Sequence, residues 1–374
     1  MNGKAKLSFR SATRLSLGLS LGLFLVQPAF ALDPINRPYQ SMRSAAMGGV
    51  RMTTGLYDEN FFNNPARITA NPRSKFTLLQ LGAETSNSTI SSLSAISSPN
   101  PLTALVNTAG KNLHARVQLI FPAYYSAATE GSKFAFGIGL ITGFQLNSII
   151  QQSYQASVLG LADVGPAITL GRKFLDDDAL SVGITGHYMY RVSTDPNYSL
   201  LDYFRGITPS INSLGGSGSL IDFDIGGTYQ VTEWGDFKIG VAAAMQNLLG
   251  GTYIKNSLLP GNGMPLAQPR SIGLGVSAVR PDWSYFTNTT FAFEITDLMN
   301  NARGSLFRMI HLGGETHWKS FAFRLGLNQG YWTAGIGFDV HYLNLDLTTY
   351  GEELGLNSGT QEDRRYALNL GFHI

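Results

Sequence analysis

The stretch LSVGITGHYMYRV, residues 180–192, alternates between large apolar side chains and small or polar ones. One parity carries Leu180, Val182, Ile184, Tyr188, Tyr190 and Val192. The other carries Ser181, Gly183, Thr185, His187, Met189 and Arg191. Successive side chains of a β-strand point to opposite faces, so this period of two predicts a strand with one apolar face.

The same period recurs from about residue 75 to the end of the chain. About fourteen candidate strands lie near 75–85, 114–126, 133–147, 160–174, 179–192, 219–232, 236–248, 269–280, 287–297, 307–318, 320–328, 331–340, 342–350 and 364–374. Their lengths suit a tilted crossing of a bilayer. Tight polar turns alternate with long connections near 86–113, 193–218 and 249–268, as in outer-membrane barrels. The sequence therefore predicts an all-β, antiparallel transmembrane barrel of about fourteen strands, residues 75–374.

A soluble secreted β-sandwich is the alternative fold, because such a protein buries the apolar face of its strands and wets the other. Composition favours the barrel. Only 14% of the 374 residues are charged, against about 25% in ordinary soluble domains. The chain has no cysteine, which excludes a disulfide scaffold, a Cys-ligated metal and a cysteine nucleophile.

Residues 1–31 have the pattern of a secretory signal peptide. Lys4, Lys6, Arg10 and Arg14 precede an apolar run, and a small-x-small site ends at Ala31. We expect cleavage after Ala31 and export to the bacterial outer membrane. Loss of four basic and no acidic residues changes the formal net charge from +2 to −2. Nucleic-acid binding therefore has no electrostatic support.

Residues 32–74 do not alternate, and they mix small, polar and proline-containing segments. An N-terminal plug in the mouth of the barrel is one interpretation of this composition. A disordered periplasmic tail is the other, although Leu56, Tyr57, Phe61 and Phe62 are unusual in a fully disordered segment.

Two N-terminal segments, SAAMGGVR at 44–51 and YDENFFNNPA at 57–66, carry a family resemblance together with the later strands. The chain resembles the long-chain fatty acid transporter (FadL-like) superfamily of outer-membrane barrels, and the PorV-like branch is a close rival. Further segments that resemble recurrent strands and turns of this group are 246–248, 293–297, 311–315, 324–331 and 350–353.

The resemblance implies a barrel blocked by an N-terminal hatch, with apolar substrates captured outside and released sideways through an opening in the wall. Asn64, Pro65 and Ala66 match the Asn-Pro-Ala motif of the hatch, which implies a plug-forming role. Pro122 lies inside an early predicted strand, where it removes a ladder hydrogen bond. It is our candidate for a bulge or lateral gap, and a bare strand end explains it equally well.

Several charged residues fall on the inward parity of the predicted strands: Arg172, Arg191, Glu294, Arg324, Asp339 and Asp346. We interpret them as a balanced ion-pair network that holds the plug or lines water. Alternatively, Arg324 pairs bidentately with the carboxylate of an anionic head group.

The strand near 307–318 places His311, Glu315 and His317 on one parity. Glu315 and His317 could share a metal if Asp339 or His341 supplied a further ligand. Polar residues also line the aqueous interior of any such barrel, and this is the better explanation. We predict no metal and no cofactor.

No Gly-x-Ser-x-Gly nucleophile elbow is present in the sequence. The spaced glycines at 137–139 and 335–337 lie within strand alternation rather than between a strand and a helix, so they do not predict a nucleotide site. An enzyme is therefore not predicted, and a hydrolase is the least favoured function.

Two functions remain. The first is a channel for uptake of hydrophobic small molecules, long-chain fatty acids or similar, by lateral diffusion, with outer-membrane lipid and the ligand as partners. The second is a PorV-like scaffold that shuttles or attaches a secreted protein, which the long loops near 193–218 and 249–268 and the weakly amphipathic residues 102–106 favour.

The last strand alternates in the same way as the others, with apolar residues at Tyr366, Leu368, Leu370, Phe372 and Ile374. This pattern resembles the C-terminal signal that the barrel assembly machinery recognises. We therefore expect that machinery to be a partner.

Overall fold

The computed structural model describes residues 39–97, 107–129, 131–150, 155–175, 177–194, 197–199, 215–256, 263–301, 304–355 and 357–374. The predicted signal peptide, the first part of the predicted plug (32–38) and residues 102–106 lie outside the described residues.

Fourteen long antiparallel strands form a closed sheet. They are β1 Lys75–Ser86, β2 Asn112–Tyr125, β3 Phe134–Ile150, β4 Gln155–Phe174, β5 Leu180–Thr194, β7 Gly215–Trp234, β8 Phe237–Gln246, β10 Ser271–Trp283, β11 Phe286–Ile295, β12 Ile310–Trp318, β13 Phe321–Asn328, β14 Tyr331–Val340, β15 Leu343–Glu353 and β16 Glu362–His373. Two short strands, β6 (Asn197–Ser199) and β9 (Ile254–Lys255), pair with β4 and β7. Because β1 pairs with β16, the sheet is a barrel without a free edge. The predicted fold class is confirmed.

Short helices lie outside the strands. They are α1 (Met42–Ala46), α2 (Asn87–Ile96) and the 3₁₀ helices Tyr57–Phe61, Pro65–Ala70 and Leu306–Met309. The side chain of Ser86 caps α2 by accepting a hydrogen bond from the Thr89 amide. The sequence predicted only a long loop at α2. In the part of the chain that the structure covers, no helix is long and apolar enough to cross a membrane.

The two ends of the barrel differ in their connections. Turns of a few residues join strands at one end, at 175–179, 235–236, 284–285, 319–320 and 341–342, and we call this the tight-turn end. The longest connections, at 87–111, 195–214, 247–270 and 296–309, lie at the other end, together with the two-residue turn at 329–330. This asymmetry is typical of outer-membrane barrels, whose short turns face the periplasm.

The apolar faces of the strands point outwards. Outward residues of β5 such as Val182 and Ile184 are exposed, whereas inward Thr185 and Arg191 are fully buried. This is the reverse of a soluble protein and fits an outer surface that contacts lipid. One predicted inward charge is wrong: Arg172 is exposed on the outer face of β4 near the tight-turn end, with its guanidinium carbon 5.4 Å from the ring centre of Phe174. A long cationic side chain can reach water from that position.

The outward direction of Ile184 can be tested by placing a charge there. We expect Ile184→Arg to lower the free energy of unfolding from lipid vesicles by about 2–4 kcal/mol, because the charge would enter the apolar band. Tyr285→Arg is the matched control, since Tyr285 is 82% exposed in a tight turn, and we expect almost no effect. Equal stability of the two variants would contradict the lipid-facing assignment.

Candidate functional site

Residues 39–74, which we call the N-terminal segment, lie against the inner wall of the barrel. Glu294 of β11 accepts hydrogen bonds from the amides of Arg51 and Thr53, both at 2.8 Å, and from the Thr53 hydroxyl. On the opposite wall, the Gln40 amide donates to Gln118 of β2 at 3.0 Å. The segment thus crosses the lumen.

An ion-pair chain joins the N-terminal segment to three strands. Arg43 donates to both carboxylate oxygens of Glu315, with distances of 2.6 and 2.9 Å, and to Glu59 at 2.9 Å. Glu315 also accepts from Nε of Arg324 at 2.5 Å, and Nη1 of Arg324 donates to Asp346 at 2.6 Å. The fork of Arg324 is therefore occupied by carboxylates of the protein.

Protonation of this chain depends on burial. Burial favours the neutral form of Arg43, but Glu315 and Glu59 outweigh it and raise the pKa of Arg43 above its ordinary value. Burial raises the pKa of Glu59 more than Arg43 lowers it. The pKa values of both groups are therefore raised, that of Arg43 by its carboxylate neighbours and that of Glu59 by burial.

Glycines in the wall let the backbone of the N-terminal segment approach closely. A Cβ atom at Gly313 would lie 2.0 Å from the carbonyl oxygen of Met47, and one at Gly326 would lie 2.4 Å from the amide nitrogen of Gly48. At Gly183, a Cβ atom would lie 2.4 Å from the carbonyl carbon of Pro65. No other residue fits at such contacts without displacing the segment.

The predicted hatch motif lies at one of these contacts. The Asn64 side chain caps the helix Pro65–Ala70 by accepting from the Ala66 amide at 3.1 Å, and it donates to the carbonyls of Met52 and Gly227 at 2.9 and 3.2 Å. Asn64 and Ala66 are fully buried, and Pro65 is buried. The motif thus connects the segment to β7, and its role in closing a channel stays a prediction.

Pro122 lies inside β2 rather than at a strand end, on the outer side and after a cis peptide bond. The register between β2 and β3 shifts between Ile120 and Ala123. On the other side of β3, Pro166 of β4 lies in a gap of the β4–β5 ladder, which pairs at Val164 and next at Ala167 without a shift in register. Sequence reasoning missed Pro166, although it fell inside the predicted strand 160–174.

Aromatic and aliphatic side chains fill the lumen on the side of β2–β5 and β7. Phe61, Phe62 and Ile68 of the N-terminal segment belong to this group, which we call the apolar cluster. Its full membership is Tyr39, Phe61, Phe62, Ile68, Ile120, Ala123, Tyr125, Ala135, Ile141, Ala167, Met189, Leu220 and Tyr253. On this side, therefore, the N-terminal segment packs against the wall through an apolar layer inside the barrel.

The wall formed by β1, β2, β15 and β16 is polar instead. Its buried charged residues include Glu84, His114, Arg116, Glu352, Asp363 and Arg365. His114 pairs with Glu84 at 2.5 Å, and Nε of Arg365 pairs with Asp363 at 2.9 Å. Of the remaining predicted inward charges, Arg191 pairs with Asp163 at 2.7 Å, and Asp339 lines the cavity described next.

A cavity of about 1030 Å³ lies between the N-terminal segment and the tight-turn end of the barrel. Its lining includes Tyr57, Arg67, Lys75, Glu315 and Asp339. We call it the lower cavity. It is large enough for a small organic molecule.

The predicted inward histidines are engaged with the protein. His311 contacts the carbonyl of Gly48 at 2.8 Å and the hydroxyl of Thr296 at 2.9 Å. His317 lies 3.9 Å from Glu315. Within the described ranges, no group of three His, Cys, Asp or Glu side chains could hold a metal ion.

Comparison with known proteins identifies solved structures that resemble this fold. No protein-family model matches the chain, and no curated protein matches it in sequence. The toluene transporter TbuX of Ralstonia pickettii matches in structure with a TM-score of 0.51 at 12% identity, over 89% of this chain and 97% of that one. A deletion mutant of the monoaromatic hydrocarbon channel TodX matches with a TM-score of 0.51 at 12% identity, over 89% of this chain and 98% of that one. The toluene transporter TodX is from Pseudomonas putida. A FadL homologue of Pseudomonas aeruginosa gives 0.47 at 11% identity, over 91% and 99%. The chain thus shares its fold with TbuX and TodX, which agrees with the resemblance seen in the sequence.

Proposed function

We propose that this protein is an outer-membrane channel for uptake of hydrophobic small molecules, such as long-chain fatty acids. The apolar cluster carries this proposal, because it places buried aromatic and aliphatic side chains inside a barrel, where such proteins typically have polar side chains. A toluene transporter and a monoaromatic hydrocarbon channel share the fold. The fold fits an outer-membrane location, reached by export and removal of residues 1–31.

In this proposal the N-terminal segment is the plug. Asn64, Pro65 and Ala66 hold it against β5 and β7, and Arg324 holds it through Glu315 and Arg43. Hydrophobic molecules enter from the loop end, move along the apolar cluster and leave sideways near β3. The register shift at Pro122 and the missing pairs at Pro166 support this exit, because they interrupt the β2–β3 and β4–β5 ladders on either side of β3.

Uptake of a labelled long-chain fatty acid by cells that lack their own transporter tests the proposal. We expect the intact protein to restore uptake and Ile141→Asn to reduce it several-fold, because Ile141 is 1% exposed within the apolar cluster. Thr142→Asn is the matched control, since its side chain points outwards from the same strand. Uptake no greater than in cells without the protein would contradict the proposal.

A scaffold for a secreted protein is the second candidate. Helix α2 favours it, because Ile90 and Leu93 are 46% and 57% exposed at the loop end of the barrel and would offer a partner an apolar contact. Most of the predicted loop 193–218 lies outside the described residues. Affinity purification that recovers a secreted protein with the intact chain, but not with Ile90→Ser, would favour the scaffold.

Insertion into the outer membrane would use the barrel assembly machinery. Tyr366, Leu368 and Phe372 of β16 are exposed on the outer face, as is the terminal Ile374. This apolar face supports recognition of the last strand by that machinery.

A further inference from the structure

The connection between β8 and β10 turns back into the mouth of the barrel at the loop end. Its described parts that do so are residues 249–256 and 263–268, which we call the strap. The Gln268 amide donates to the carbonyl of Gly251 at 2.9 Å. A Cβ atom at Gly251 would lie 1.5 Å from the carbonyl oxygen of Gln268. The two parts of the strap are therefore in direct contact and form one unit.

The second part of the strap lies against the inner face of β5 and β7. The Leu266 amide donates to the hydroxyl of Ser193 at 2.9 Å. Ser193 is on the inward parity of β5 and pairs with Gly216 of β7. A Cβ atom at Gly216 would lie 2.4 Å from the carbonyl carbon of Met264. The backbone of the strap therefore lies inside the mouth, and a glycine of the wall makes room for it.

Arg191 connects the strap to the wall. Its Nε and Nη2 atoms donate to the two carboxylate oxygens of Asp163 at 2.7 and 2.8 Å. Nη1 donates to the carbonyl of Leu266, and Nη2 donates also to the side-chain oxygen of Gln268, both at 2.9 Å. Asp163 thus neutralises the guanidinium from the wall, and the strap supplies uncharged acceptors that water can replace. The strap can therefore leave without separating the ion pair.

Tyr253 places the strap next to the apolar cluster. This tyrosine is 2% exposed and belongs to the cluster. The guanidinium carbon of Arg191 lies 4.9 Å from the centre of its ring. Phe61 and Phe62 reach the same cluster from the N-terminal segment. The cluster is therefore covered by two separate parts of the chain.

We propose that the strap is a second gate of the lumen, at the loop end, and that Arg191 is the positioning residue that holds it closed. A molecule that enters from the loop end displaces Leu266 and Gln268 from Arg191 and moves Tyr253 away from the apolar cluster. The pair between Arg191 and Asp163 stays on the wall. This inference rests on the proposed function and adds a gate at the entrance to the plug formed by the N-terminal segment.

A reversible disulfide between β7 and β9 tests the gate. Ser219 pairs with Ile254 of the strap, on the outward parity of β7. Paired residues of antiparallel strands have Cα atoms about 4.5–5.5 Å apart, which suits a disulfide. The chain has no cysteine of its own. Ser219→Cys combined with Ile254→Cys, the locked variant, therefore holds the strap closed without placing a side chain in the lumen.

The matched control is a disulfide between two strands of the wall. Thr349→Cys combined with Tyr366→Cys joins β15 to β16 on the outer face. Uptake of a labelled long-chain fatty acid is measured in cells before and after addition of a reductant, and the disulfide is verified by the loss of free thiols. We expect oxidation of the locked variant to slow uptake about tenfold and the reductant to restore it. Oxidation of the control variant should leave uptake unchanged.

Gln268→Ala tests the role of Arg191 without touching its ion pair. This variant removes one acceptor that the strap offers to Arg191. Loss of one hydrogen bond should raise the open fraction of the strap and the initial rate of uptake about threefold. Unchanged or slower uptake by Gln268→Ala would overturn the assignment of Arg191 as the residue that holds the gate.

The outcomes separate the gate from the channel. Equal uptake by the oxidised and the reduced locked variant, with the disulfide verified, would overturn the gate and leave the channel proposal standing. Absence of uptake by every form, including the chain without substitutions, would overturn both.

Discussion

Replacing Gly313 by valine should displace the N-terminal segment and make the barrel permeable. The valine Cβ would fall 2.0 Å from the carbonyl oxygen of Met47, a backbone atom that cannot give way alone. We expect the valine to destabilise the docked N-terminal segment by about 3 kcal/mol, as extra methyl groups do in a well-packed core. Ion conductance in planar bilayers should rise from near zero to that of an open pore, and trypsin should cleave at the exposed Arg43 and Arg51.

The neighbouring glycine provides the control for this variant. Gly314 faces outwards, and a Cβ atom there meets its nearest atom, on the Phe291 side chain, at 3.3 Å. Gly314→Ala should therefore keep low conductance and resistance to trypsin. If Gly313→Val behaved like Gly314→Ala, the docking of the N-terminal segment against β12 would be wrong.

Replacing Glu315 by glutamine should have the second largest effect. Glu315 is 4% exposed and accepts hydrogen bonds from both Arg43 and Arg324. Its removal leaves two buried guanidinium groups with one carboxylate each, which we expect to cost about 3 kcal/mol. Urea unfolding of the refolded protein measures the loss, and Glu233→Gln, at an exposed site, should have no measurable effect.

A double-mutant cycle shows whether this loss belongs to the ion-pair chain. Arg43→Met combined with Glu315→Leu removes a cation and an anion together, so we expect the double variant to be more stable than the sum of the single effects predicts. The coupling energy should be about 1–3 kcal/mol. Additive losses would show that Arg43 and Glu315 act independently.

The strands and their faces follow from local sequence. A period of two predicts both the strand and the face to which each side chain points, so the inward positions of Arg191, Glu294 and Glu315 were predicted correctly. Arg172 failed because, near the tight-turn end, a long charged side chain reaches water from the outer face as well as from the inner one. The period of two therefore does not predict the direction of a long charged side chain near the membrane boundary.

The interior of the candidate site could not be derived in the same way. Arg43 lies 272 residues from its partner Glu315, and nothing local marks either as half of a pair. The N-terminal segment has no periodic pattern, because its short helices are shaped by contacts with distant strands at Gly183 and Gly313. Pro166 carried a readable signal, since proline inside a strand breaks its ladder.

The partners of Arg324 show the same limit. The sequence suggested Arg324 as the partner of an anionic head group, yet its Nε and Nη1 atoms donate to Glu315 and Asp346. Whether a cation is free to bind a ligand depends on which carboxylates the fold brings next to it. Only the folded arrangement shows that.

The central claim is that hydrophobic molecules bind inside the barrel beside the N-terminal segment. Its most direct test is ligand binding by the refolded barrel, comparing the intact chain with a version that lacks residues 32–74. We predict saturable binding of a long-chain amphiphile to the intact chain, with at least tenfold weaker binding once Phe61, Phe62 and Ile68 are gone. Absence of saturable binding by the well-folded intact barrel, or equal binding by both versions, would contradict the claim.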